Sequence, residues 1–312
     1  MPHDPLVKMF IDKVAGHLPL KFWELPLPAA RLTFASLAAL AGPKNVPIGR
    51  TENLVMPGPG GKIHLRVYSP VAGGDGVPGL VFYHGGGFAF GSLDIYDGIC
   101  RMLAGGTGAK VFAVDYRLAP EHPFPAGVED AYAALVWIEE NAARLGIDAN
   151  RLAVGGDSAG GNFTAVVCQR AKREGGPKAV CQLMFSPMTV VAADYASRRA
   201  HQTDLILSRE AADWFLSHYL PDGTDPMDLR HSPLLAEDFS GLPPAYIVIA
   251  GDDPLHDEGL MYAEKLRDAG VAVTVDDYPG MMHDFVFLQS VLPQAHEALV
   301  KAARGVRTML DG

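Results

Sequence analysis

The stretch Val154–Gly161 reads V-G-G-D-S-A-G-G, and the fold hangs on it. A short apolar run, Leu152–Val154, leads into two glycines. Asp157 and Ser158 follow, then Ala159, Gly160 and Gly161, and then an apolar-rich segment from Asn162 to Arg170. The reading is strand, sharp turn, helix, and Gly156-x-Ser158-x-Gly160 has the spacing of a nucleophile elbow. Such a turn holds the serine in a strained backbone conformation. Small neighbours let strand and helix approach closely. The hydroxyl then projects from the turn above the N-terminus of the next helix. The pattern is short enough to arise by chance in a chain with 34 glycines, so its weight depends on what surrounds it.

Outward from the elbow, apolar strands alternate with helical segments. Leu80–Tyr83 is a short strand ending at His84-Gly85-Gly86-Gly87. Tyr96–Gly105 reads as a helix, Val111–Val114 as a strand, Gly127–Leu145 as an amphipathic helix, Gly160–Arg173 as a helix and Val180–Phe185 as a strand. Beyond residue 235 the rhythm resumes with strand Ala245–Ala250, helix Leu255–Ala269, strand Val271–Val275 and a closing helix within Gln289–Leu310. Apolar strands without alternation, separated by helices, imply parallel strands covered on both faces. The expected class is α/β, a mostly parallel central sheet with helices on both faces. Upstream, Asn53–Met56 and Ile63–Tyr68 flank P-G-P-G-G, a turn signal, and read as paired strands near a sheet edge.

Two regions break the rhythm. Residues 1–45 place Leu6, Val7, Phe10, Val14 and Leu18 at a helical period, then Pro19, Pro26 and Pro28, then a second helix over Ala29–Ala41. They are expected to form N-terminal cap or lid helices, leaving 46–312 as the catalytic domain. Residues 187–235 contain one convincing helix, Ser208–Tyr219, with Ser208 as N-cap. They read as a cap insertion over the active face.

Functional groups gather at the carboxyl ends of strands in such sheets. Ser158 follows one strand, Asp252 and Asp253 follow another in A-G-D-D-P-L, and His283 follows a third in P-G-M-M-H-D-F. A serine hydroxyl needs a base that takes its proton and returns it to the leaving group, which His283 can be. A carboxylate on the far ring nitrogen fixes the tautomer; position alone leaves both Asp252 and Asp253 open for that task. The tetrahedral intermediate of acyl transfer needs backbone N–H donors aimed at its oxyanion. Gly85 and Gly86, with the N–H of Ala159, are the expected set, and His84 is a structural residue of that loop. Trp23, Phe34, Phe88, Phe90, Met188 and Trp214 are candidate pocket walls.

Twenty-six Lys and Arg against 36 Asp and Glu give a formal charge of −10, which disfavours a nucleic-acid partner. Cys100, Cys168 and Cys181 are an odd, widely spaced set, which argues against disulfides and zinc and for a reducing compartment. His64, His201, His231 and His256 lack ligand spacing. The glycines at 85–87 do not follow the dinucleotide fingerprint. The N-terminus lacks a basic then apolar leader, and no apolar run is long enough for a membrane span. A cytoplasmic protein is expected.

The chain resembles the bacterial hormone-sensitive-lipase family of α/β-hydrolase esterases. The resemblance rests on H-G-G-G-F at 84–88, D-Y-R-L-A-P-E-H-P-F-P at 115–125, G-D-S-A-G-G at 156–161 and D-P-L-H-D-E-G at 253–259, and runs from about residue 50 to the C-terminus. It implies Asp253 as the acid, Ser158 as nucleophile and His283 as base, no cofactor, and esters of short to medium acyl chains as substrates. It also implies a homodimer through the strand near 271–275. The resemblance expects His-Gly-Phe at the base, where this chain has His283-Asp284-Phe285, and Asp284 is read as a tolerated surface substitution. Arylformamides, other amides or lactones would use the same triad. A non-catalytic ligand-binding protein is the alternative of another class, and the intact Ser, Asp and His argue against it. Glu121 and His122 read as a structural polar network.

Overall fold

The computed structural model describes residues 3–15, 21–72, 74–192, 194–200 and 207–312. Leu18, Pro19 and His201 lie outside the described residues. The sheet is built from β1 (Arg50–Gly58), β2 (Gly61–Ser69), β3 (Val77–Tyr83), β4 (Lys110–Asp115), β5 (Ile147–Asp157), β6 (Cys181–Phe185), β7 (Ala245–Asp252) and β8 (Val273–Met282). Their order is β1-β2-β4-β3-β5-β6-β7-β8. β1 and β2 pair antiparallel, as does β2 with β4, and every other neighbour is parallel. This is the mostly parallel α/β sheet expected from the alternating pattern, in the α/β-hydrolase arrangement that the resemblance implied.

The burial of each strand follows its place. β3, β6 and β7 are buried along almost their whole length, as are the Val111–Val114 part of β4 and the Leu152–Asp157 part of β5, as continuous apolar runs require. In β2, Ile63, Leu65 and Val67 are buried and His64 is exposed. β8 runs on to Met282, well past the apolar stretch at 271–275. As the edge strand it has a solvated side that tolerates Asp276 and Asp277. Asp276 is held there by the Tyr246 hydroxyl and the Lys301 ammonium.

Helices α3 (Asp97–Thr107) and α10 (Pro293–Asp311) cover one face of the sheet. There Leu103, Leu299 and Val306 share a core with Leu80, Phe82 and Val248. Helices α4 (Ala126–Glu140), α6 (Ala159–Glu174) and α9 (His256–Asp268) cover the other, where Leu135, Phe163, Val166 and Leu266 join Val81, Val154 and Ile247. The segment expected as one helix over 127–145 is two: α4 stops at Asn141 and α5 (Ala142–Leu145) follows as a single turn.

In the N-terminal region, α1 (Pro5–Ala15) buries Val7, Phe10 and Val14 in the core shared with α10. A 3-10 turn, Phe22–Glu24, and α2 (Leu27–Ala41) follow. Between β6 and β7 lie α7 (Ala196–Ala200) and α8 (Arg209–Tyr219), the latter capped by Ser208, whose side chain accepts the Ala211 N–H. The two regions touch: the Phe22 ring lies 5.9 Å from Trp214 and 5.3 Å from Phe215 of α8. Among the described residues no helix is long and apolar enough to cross a membrane.

Candidate active site

The β5–α6 turn places Ser158 at φ 50 and ψ −113, outside the conformations an L-residue prefers. Its N–H donates to the Phe185 carbonyl at 2.9 Å, fixing the turn on β6. The flanking glycines are steric necessities. A Cβ on Gly160 would overlap the Tyr83 carbonyl oxygen, and one on Gly156 would overlap the Gly160 carbonyl. Only bare backbone lets α6 start this close beneath β3 and β5.

Three strand ends converge on this turn. Asp253 follows β7, and its Oδ1 accepts the Leu255 N–H at 2.8 Å, which orients the carboxylate. Its Oδ2 lies 2.7 Å from His283 Nδ1, and His283 Nε2 lies 2.9 Å from Ser158 Oγ. All three residues are buried. With Nδ1–H donating to the carboxylate, Nε2 is the unprotonated nitrogen that faces the serine hydroxyl. Asp252, which position left open, takes no part in this chain of contacts. Its Oδ2 lies 3.0 Å from His3 Nδ1, on the side where the N-terminus docks.

The glycine loop after β3 departs from expectation in one residue. The Gly85 N–H donates to Asp157 Oδ1 at 3.0 Å, so it points away from any oxyanion. Asp157 Oδ2 accepts the Tyr96 hydroxyl at 2.8 Å, which ties the carboxylate between the two. Among the described residues the N–H groups of Gly86 and Gly87 carry no hydrogen bond. Gly87 and Ala159 line a narrow cavity beside Ser158. Of the expected donors Gly85, Gly86 and Ala159, Gly85 is therefore ruled out by its bond to Asp157, while Gly86, Gly87 and Ala159 have N–H groups left to offer. His84 packs 4.3 Å from the Tyr116 ring, and burial pushes its pKa down to about 4, so the ring is neutral and structural.

Of the candidate pocket residues, Phe88 and Met188 line the cavity at Ser158, with Phe215 and Leu255. Phe34 lines a second cavity, under α2. Trp23, Phe90 and Trp214 join an aromatic cluster around Phe22, with ring centroids 5.1 to 5.9 Å apart.

Asp284 was expected at the surface and is not there. It is 9 % exposed, at φ 52, and its Oδ2 lies 3.3 Å from His283 Nε2. The left-handed turn swings the side chain back under α2 instead of outward. Burial pushes its pKa up to about 6, opposed by His283 and reinforced by Asp253. Sequence reasoning also missed Asp157 as the tether of the glycine loop, and Arg31. From α2, Arg31 Nε donates to Ala89 O at 2.8 Å, Nη2 to Ala119 O at 2.9 Å, and both Nη atoms to Glu121 at 2.7 Å. Glu121 is thus structural, as read, but its partner sits ninety residues away where no local pattern can reveal it. Among the described residues no group of three or more His, Cys, Asp or Glu could hold a metal ion.

A nucleophile turn, a strand-end carboxylate and a strand-end histidine on a sheet of this order define the alpha/beta hydrolase class. The family model described as alpha/beta hydrolase fold matches residues 80–287, and the chain belongs to that family. This corrects the narrower resemblance to the bacterial hormone-sensitive-lipase family, because the matching family is the alpha/beta hydrolase one and does not single out that group. The chain is 48% identical over 256 residues to the carboxylic ester hydrolase LipN of Mycobacterium tuberculosis, covering 80% of this chain and 67% of that protein. It is 41% identical over 313 residues to the carboxylesterase NlhH of the same species, covering 98% and 96%. The solved structure of the ester-hydrolase EH1AB1 from the Lake Arreo metagenome, complexed with a derivative of bipyridine phosphonate, superposes with a TM-score of 0.96. That comparison has 39% identity and covers all of both chains.

Proposed function

We propose that this carboxylesterase cleaves esters of short to medium acyl chains, with Ser158 as nucleophile, His283 as base and Asp253 as its orienting acid. The protein is a serine-hydrolase-type carboxylesterase, related to characterised ester hydrolases along its length. The observation that carries the residue roles is the unbroken contact chain from Asp253 through His283 to Ser158, at 2.7 and 2.9 Å.

Ser158 Oγ attacks the ester carbonyl while Nε2 takes its proton. The carbonyl oxygen becomes an oxyanion held by the N–H groups of Gly86, Gly87 and Ala159. Nε2 then gives the proton to the departing alkoxide, and the acyl group stays on Oγ. Water, deprotonated by the same nitrogen, attacks the acyl carbon and frees the acid. Asp253 remains ionised and stabilises the imidazolium in both halves. The cavity at Ser158 is closed by Met188, Phe215 and Leu216, which supports a limit on acyl length.

Residues 1–45 and 187–235 form the cap in this reading, supported by the Phe22 contacts with Trp214 and Phe215. The free edge of β8 supports pairing of two copies, which sedimentation velocity reads directly. Three buried free cysteines support a cytoplasmic enzyme. The test is hydrolysis of p-nitrophenyl esters from acetate to palmitate by the wild type beside Ser158→Ala. A serine-dependent rate greatest between about two and eight acyl carbons is expected. A maximum on palmitate overturns the acyl-length reading. No serine-dependent rate on any ester turns attention to formamides, amides and lactones.

A further inference from the structure

The residue after the base carries chemistry that the triad does not use. Asp284 Oδ2 lies 3.3 Å from His283 Nε2, the nitrogen that hands its proton to the departing alcohol. Asp284 Oδ1 is buried and has no hydrogen-bond partner among the described residues. The same side chain lines a cavity whose other walls are Phe34, Leu37 and Ala38 of α2 and Phe287 and Leu288 beyond the histidine. The cavity at Ser158 has a different set of walls, and Asp284 is not among them. Among the described residues Asp284 is thus the only charged group lining this otherwise apolar chamber, and its Oδ2 is the atom that approaches Nε2.

We propose that Asp284 selects esters whose alcohol carries a hydrogen-bond donor, a hydroxyl or a protonated amine, on the carbon next to the one bearing the ester oxygen. The geometry fits this spacing. During departure the leaving oxygen sits about 3 Å from Nε2, because it accepts the proton there. The Asp284 oxygen is at a similar distance from the same nitrogen. A gauche donor on the second carbon of the alcohol reaches about 3 Å from the leaving oxygen. It can then donate to the carboxylate over an ordinary hydrogen-bond length.

The energetics point the same way. A buried carboxylate oxygen without a partner is unfavourable, because it has lost its water and gained no donor in exchange. A bound donor removes that penalty, and an alkyl alcohol of the same shape leaves it in place. Sites built to hydrogen-bond a substrate group discriminate far more strongly against its alkyl isostere than apolar walls do. The elevated proton affinity of Asp284 follows from the same burial and keeps the group within reach of either charge state. This inference rests on the serine-esterase reading above.

The experiment compares two matched pairs of butyrate esters. The 2-hydroxyethyl ester is set against propyl, and the 2-(dimethylamino)ethyl ester against 3-methylbutyl. Each kcat/KM ratio is measured for the wild type, Asp284→Gly and Asp284→Asn. Dividing the wild-type ratio by the variant ratio cancels the intrinsic reactivity of the esters. Gly and Asn both accept positive φ, so the turn at residue 284 can form in either variant. The expected result is a fall of tenfold or more in a donor-to-alkyl ratio on Asp284→Gly. The pair that falls identifies the donor. Asp284→Asn keeps an acceptor oxygen and should retain part of the hydroxyl preference while losing the cationic one. Ratios equal to wild type in both pairs overturn the proposal, even if every rate drops, because a structural role lowers all esters alike. Wild type that cleaves p-nitrophenyl butyrate but neither donor ester also overturns it. Wild type that fails on p-nitrophenyl butyrate itself overturns the esterase reading instead.

Discussion

Two turns flank the imidazole of His283, and both hold a non-glycine residue at positive φ: Ser158 at 50 and Asp284 at 52. Each follows a parallel strand at the carboxyl edge of the sheet, and each puts an oxygen near Nε2. They differ in how the strain is held. The Ser158 turn is over-determined, with glycines on both sides, an N–H bonded to β6 and a neutral hydroxyl that meets its partner. The Asp284 turn places a carboxylate in a buried corner, where one oxygen has no hydrogen-bond partner among the described residues. In the proposed mechanism the first turn performs a step, and in the proposed selection the second waits for a donor from the substrate. Strain alone therefore does not mark chemistry; the pairing of the polar atoms does.

The largest effect expected from this comparison is at Ser158. Ser158→Ala should lower kcat on p-nitrophenyl butyrate by about 10⁴-fold or more. Its melting temperature should stay within about 2 °C of wild type, because glycines and backbone bonds, not the hydroxyl, hold the turn. A variant that loses its fold along with its activity would break the claim that the turn is held independently of its nucleophile.

The two adjacent aspartates sharpen the contrast next. Asp253→Asn should cost about 10⁴-fold in kcat, since an amide cannot hold the Nδ1–H tautomer or stabilise the imidazolium. Asp252→Asn should cost less than about tenfold, because its carboxylate faces His3 rather than His283. Stopped assays of both variants on one ester decide it, and equal losses would show that the acid is shared.

What was legible in the chain follows from the same difference. Ser158, His283 and the Asp252–Asp253 pair could be placed from sequence because apolar runs end where strands end, and functional groups sit at those ends; position did not choose between the two aspartates, and only the family resemblance pointed to Asp253. The class of the sheet was legible for the same reason. Gly85 was misread as an oxyanion donor because the fate of its N–H is decided by Asp157, seventy-two residues later, whose side-chain direction no spacing encodes. The candidate pocket residues were legible as apolar, but only packing sorts Phe88 and Met188 to the cavity at Ser158 and Phe34 to the other cavity. Asp284 was misread because a charged residue in a polar turn is ordinarily solvated. Burying it took the positive φ together with the α2 helix laid across it, and α2 itself is tethered by a long-range Arg31–Glu121 pair.

The smallest effect is the most direct measure of the second turn. Burial raises the Asp284 carboxyl from 3.8 to about 6, while Asp253 adds to the rise and His283 opposes it. The neighbouring Asp157 carboxyl, also raised by burial, and the Tyr96 hydroxyl face the same corner. An acid with a raised pKa in the folded state binds its proton more tightly there than in the unfolded chain. Its contribution to stability is therefore full below about pH 4 and declines as pH rises through about 6. The decline amounts to at most about 3 kcal/mol for a shift of this size. Asp284→Asn removes it, so the variant should unfold at a higher urea concentration than wild type at pH 8, with the gap closing towards pH 4. The same substitution removes a negative charge from beside Nε2, which should move the acid limb of the rate profile to lower pH. An advantage of equal size at both pH values would mean that the amide helps by packing, and that the carboxylate at residue 284 is not the strained charge that distinguishes this turn from the one at Ser158.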